Sequence, residues 1–63
     1  MTREEINNLS VKARFIRRKY LEGKYTEEDL DLFVEVNYIT AEEAEAFRAD
    51  KKALEDAKKK VNQ

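Results

Sequence analysis

The residues of this 63-residue chain with the clearest chemical potential are a run of cations, Lys12, Arg14, Arg17, Arg18 and Lys19. Spacings of three and four would set Arg14, Arg17 and Arg18 on one helical face, where guanidinium groups can neutralise phosphates. The same residues suit the negative end of a helix, and Arg18 can pair with Glu22 one turn on. A solvated helix face is therefore the expected reading, and nucleic acid is not the expected partner. Glu27, Glu28, Asp29, Glu42 and Glu43 could supply paired carboxylates for acid–base chemistry. They stand where helices begin, however, with no histidine, no cysteine and no glycine-rich phosphate loop in the chain. No catalytic residue is assigned, and the chain is not expected to be an enzyme. Asp29-Leu30-Asp31 lacks the glycine and spaced oxygen ligands of a calcium loop, and the missing thiolates and imidazoles remove the usual zinc ligands. No metal, cofactor or small-molecule substrate is expected.

These side chains must be positioned by a small body. A chain this short forms one domain, residues 1–63, and buries only about 60% of the surface its unfolded form exposes. Without disulfides such a domain retains about 3–5 kcal/mol, so self-association or a larger partner is a natural support. Charged residues are 43% and hydrophobic residues 41% of the chain, a balance that fits a soluble helical domain. No apolar run approaches the roughly 18 residues of a membrane span, and Met1–Glu5 is followed by no apolar signal region, so no membrane association or processing is expected. Charge is segregated: residues 1–21 hold six basic and two acidic groups, residues 22–47 one basic and nine acidic, and residues 48–63 six basic and three acidic. The acidic middle can be neutralised within one fold, the preferred reading, or by pairing chains head to tail.

Three helices are predicted. Thr2 and Glu5 form a capping box, and Ile6, Leu9, Ala13, Ile16 and Tyr20 recur on one stripe, widened by Phe15 and Leu21, giving a helix over about 2–22. Asn7, Asn8 and Ser10 compete for backbone hydrogen bonds and allow a break near Asn8. Gly23 can close this helix in a left-handed conformation. Tyr25 and Leu30 then make a hydrophobic staple around a Thr26 cap, opening a short helix over about 26–36 with Leu30, Phe33 and Val34 inward and Asp31 and Glu35 outward. Asn37 ends it. Ile39 and Ala44 staple across Thr40, with Glu43 completing the box of a long helix over about 40–60. Its apolar content thins towards the end, so residues 55–63 are expected to fray or project. The result is an all-α, small three-helix array with a core of Ile16, Tyr20, Leu30, Phe33, Val34, Ile39 and Phe47.

Phe47, Leu54 and Val61 lie one heptad apart and could line a seam with another chain, which makes them candidate interface residues together with Arg14, Arg17 and Arg18. A helix-turn-helix reading of the last two helices fails on charge. Its reading end would present Glu42, Glu43 and Glu45 to phosphates.

The segments Ile16-Arg17-Arg18-Lys19-Tyr20, Gly23-Lys24-Tyr25-Thr26-Glu27-Glu28-Asp29, Phe33-Val34-Glu35 and Tyr38-Ile39-Thr40-Ala41-Glu42-Glu43 resemble the XkdX family of short phage proteins over about residues 15–47. Asn37 stands where that family commonly has glycine, and Tyr38 where it commonly has tryptophan. The family is named for a member in a defective Bacillus prophage and is typically encoded near tail and lysis genes. The resemblance implies a non-enzymatic phage or prophage protein tied to the tail module, partnered by itself or by a tail protein, in the host cytoplasm or the virion. The alternatives are a small nucleic-acid-binding regulator using the basic face of the first helix, or an inhibitor of a host protein.

Overall fold

The computed structural model describes the backbone of residues 1–61 and the side chains of residues 1–58. Four helices follow one another, α1 (Arg3–Asn8), α2 (Val11–Leu21), α3 (Glu27–Glu35) and α4 (Ala41–Val61), with no strand among the described residues. The all-α array is as expected, but the helix expected over 2–22 is two helices. Leu9 and Ser10 are extended, and the Ser10 hydroxyl accepts the Ala13 N–H at 3.1 Å. Ser10 therefore starts α2 as an N-cap, a stronger role than merely loosening a continuous helix. Thr2 and Glu5 form a complete capping box at the head of α1.

Two corners of like design connect the longer helices. At the first, Gly23 has φ +84°, its N–H bonds the Tyr20 carbonyl at 3.0 Å, and the Lys24 N–H bonds the Lys19 carbonyl at 2.9 Å. At the second, Asn37 has φ +64°, its N–H bonds the Val34 carbonyl at 3.1 Å, and the Tyr38 N–H bonds the Phe33 carbonyl at 2.8 Å. Each is the paired closure that follows a helix ending in a left-handed residue. Three residues after each left-handed residue comes a threonine cap. Thr26 exchanges bonds with Asp29, and Thr40 with Glu43 at 2.8 and 3.1 Å. These reciprocal bonds satisfy two backbone donors that a helix start otherwise leaves orphaned.

The helices bury Leu9, Ala13, Ile16, Tyr20, Leu30, Ile39, Ala44 and Phe47, with Met1, Leu21, Tyr25, Phe33 and Val34 packed at the margin. Phe33 and Val34, expected as core, are thus half-buried. Phe15, expected to widen the inward stripe, is exposed, because at about 100° per residue it lies well around the helix from Ile16 and Tyr20. α4 packs against both α2 and α3 through its first half, while every residue from Lys52 to Lys58 is exposed. The radius of gyration, 12.0 Å, exceeds the roughly 10.6 Å of a compact chain of this length, as a helix outrunning its neighbours requires. No described helix is long and apolar enough to cross a membrane.

Candidate functional site

Among the described residues, two ion-pair groups cross between helices. In the first, the Tyr20 hydroxyl on α2 donates to Glu27 Oε1 on α3 at 2.6 Å. The other oxygen of that carboxylate accepts from Arg48 Nε on α4 at 2.6 Å, and Arg48 Nη2 reaches Asp31 at 2.6 Å. Glu27 is held below the usual carboxylate range by the Tyr20 hydroxyl and then by Arg48. Burial, then the Glu27 carboxylate, push the Tyr20 hydroxyl up to about 12. Lys51 Nζ sits 4.5 Å from the Tyr20 ring centre, adding a cation–π contact. Three helices thus meet on one hydroxyl–carboxylate–guanidinium chain.

In the second group, Asp50 on α4 accepts from Arg17 Nε and Nη2 at 3.3 and 3.1 Å and from the Met1 amino group at 2.6 Å. Burial alone would raise the Asp50 carboxyl, but these two cations outweigh it and hold the group below its ordinary range. Arg17 is therefore bound inward. Of the three arginines expected on a common face, only Arg14 and Arg18 are exposed. Arg14 and Arg18 line an open groove with Val11 and Phe15, on the side of α2 opposite Ala13, Ile16 and Tyr20. The guanidinium of Arg18 lies 5.7 Å from the Phe15 ring and Lys19 Nζ 5.5 Å from it, while Lys12 Nζ lies 4.0 Å from the Tyr38 ring. The basic cluster is thus divided among an inward ion pair, a contact with the second corner and the outer groove.

The expected seam of Phe47, Leu54 and Val61 also divides. Phe47 is fully buried, so it belongs to the core and offers no surface to a partner. A heptad position and a core position look alike in sequence, and the packing of α2 and α3 on α4 decides between them. Leu54 is exposed, and the side chain of Val61 lies outside the described residues. Thr2, Thr26, Thr40, Gly23 and Asn37 all act at helix ends. Asp29 and Glu43 are engaged by cap backbones and Glu27 by Tyr20 and Arg48, which gives each a structural use.

Sequence reasoning missed Arg48, Asp50 and Val11. The signal for Arg48 was the pair Glu27 and Asp31, four residues apart on one face of α3, which calls for a cation across the helix interface. Asp50 carried no local signal, since its partners are 33 and 49 residues away.

A model of the family described as "Phage uncharacterised protein (Phage_XkdX)" matches residues 14–45, half of the chain. No curated protein and no solved structure matches it. The matched stretch runs from α2 through both corners into the first turn of α4, the part in which Gly23, Thr26, Asn37 and Thr40 set the helix directions. The chain belongs to the XkdX family of uncharacterised phage proteins.

Proposed function

We propose that this phage protein is a non-enzymatic interaction module that assembles with itself or with a tail component, in the host cytoplasm or the virion. One observation carries the reading: α4 continues beyond its last packed turn, exposing Lys52–Lys58 with Leu54 among them. A helix that outruns its own core gains packing only from another molecule, and the stapled corners give it a fixed direction from the body. The engaged acids leave little for catalysis, and the withdrawal of Arg17 thins the basic face that a nucleic-acid regulator would use.

A tagged chain recovered from infected or induced cells, with mass spectrometry of what accompanies it, tests the proposal. A tail component should be retained, and Leu54→Asp should reduce its recovery. Enrichment of nucleic acid alone, or of nothing in the presence of assembled tails together with a strictly monomeric purified chain, would sink the reading.

A further inference from the structure

Among the described residues, the exposed outer faces of α2 and α3 match each other. On the outer side of α2, Val11 is 76% and Phe15 44% exposed, flanked by exposed Arg14 and Arg18. On the outer side of α3, Leu32 is 52% and Val36, its C-cap, 46% exposed, flanked by exposed Glu28 and Glu35. We propose that the α2 face of one copy docks antiparallel on the α3 face of a second copy. This rests on the interaction-module reading above, takes a second copy as the partner, and adds a surface separate from the end of α4.

The register supports the pairing. Val11 and Phe15 are four residues apart, as are Leu32 and Val36, so at 1.5 Å per residue both apolar pairs repeat every 6 Å or so. Running the helices in opposite directions sets Val11 against Val36 and Phe15 against Leu32. Arg18, seven residues after Val11, then meets Glu28, eight residues before Val36; Arg14 comes within about 3 Å of rise of Glu35, inside the reach of a guanidinium. Lateral placement agrees as well. At about 100° per residue, viewed from each N terminus, the charged residues flank the apolar pair on the same side in both helices. Antiparallel helices bring such same-side flanks together, so arginines meet glutamates and apolar side chains meet each other.

The parallel alternative sets Val11 against Leu32 and leaves Arg14 and Arg18 facing positions whose charge lies across the apolar seam. The contact joins unlike faces, so each copy keeps one face open for the next unless two copies close on each other. A single helix pair is small beside the roughly 1,200 Å² of a stable interface, so the association is weak, concentration-dependent and weakened by salt.

Sedimentation velocity over a concentration series at low salt tests this, using the unaltered chain and two charge-reversed forms, Arg14→Glu with Arg18→Glu and Glu28→Arg with Glu35→Arg. All four positions are exposed, and circular dichroism verifies that each variant stays helical. Each reversed form alone should associate at least about tenfold more weakly, because two favourable pairs become two repulsive ones. An equimolar mixture of the two should recover association, since acidic α2 then meets basic α3 and basic α2 meets acidic α3. A strictly monomeric unaltered chain, unchanged association in the reversed forms, or loss without recovery on mixing would each overturn the proposal. A monomeric chain that still retains a tail component from cells would overturn this inference alone and leave the interaction module standing.

Discussion

The two corners share a left-handed closure and a threonine cap, yet they are locked by opposite physics. The Gly23–Thr26 corner is tied by the chain Tyr20–Glu27–Arg48–Asp31, which is partly exposed to water. The Asn37–Thr40 corner is tied by apolar matter: Ile39 is buried, and the Phe33 ring stacks on Tyr38 with centres 6.0 Å apart while meeting Tyr25 edge-on at 5.0 Å. Local hydrogen bonds are thus interchangeable between the corners, and the tertiary lock is not. A polar lock responds to pH and salt, whereas an apolar lock responds to volume.

The largest effect should come from breaking the apolar lock. Ile39→Ala should cost about 2–5 kcal/mol, comparable to the whole stability of a domain this small, and thermal denaturation followed by circular dichroism should show little or no folded baseline. Tyr25→Ala, at the equivalent staple position of the first corner, should cost distinctly less because Tyr25 is half-buried. Equal losses at the two sites would erase the distinction.

The left-handed residues separate next. Gly23→Ala should cost about 1–2 kcal/mol in urea unfolding. The new Cβ would meet no atom within 4 Å, so the loss is purely that of the φ +84° backbone. Asn37→Gly should change stability by only a few tenths of a kcal/mol, because asparagine already tolerates this conformation. Thr26→Ala and Thr40→Ala should each cost about 1 kcal/mol, since both caps make the same bonds.

The polar lock should reveal itself in pH. Tyr20 is protonated in the folded chain up to about 12, above the ordinary value of 10.0, so the unfolded chain loses this proton first as pH rises. Its contribution is complete below pH 10 and is lost between about 10 and 12. Glu27 and Asp50 are depressed from 4.5 and 3.8, so their contributions are present above those values and fade as pH falls through the folded ones. Tyr20→Phe should remove the tyrosine-linked part of the alkaline loss while costing about 1 kcal/mol at neutral pH. A small effect is expected from Arg48→Gln, a few tenths to about 1 kcal/mol diminishing with salt, because its acidic partners are largely exposed.

Much of the fold was legible because caps, staples and left-handed closures act over three to six residues, a range that sequence spacing displays directly. Thr2, Thr26, Thr40, Gly23 and Asn37 all occupy the helix ends their types require. Ser10 was harder, since one hydroxyl can loosen a helix or begin one, and only the chain direction after Leu9 separates the two. Phe15 was misplaced because an apolar residue at the edge of a stripe is assigned inward or outward by what packs there. The surfaces of interest were least legible: Arg17 reads as one of a trio of exposed arginines until Asp50, on another helix, claims it.

By itself the sequence determined the caps that begin α1, α3 and α4 and the residues that turn the two corners, because those interactions are local, while the break between α1 and α2 was decided by the fold. Tertiary structure alone decided which arginines face water, that Phe47 is core while Leu54 is surface, and that Val11–Phe15 and Leu32–Val36 remain uncovered. The reason is physical: exposure belongs to a pair of elements, and the pairing of α4 with α2 and α3 is written in no single segment.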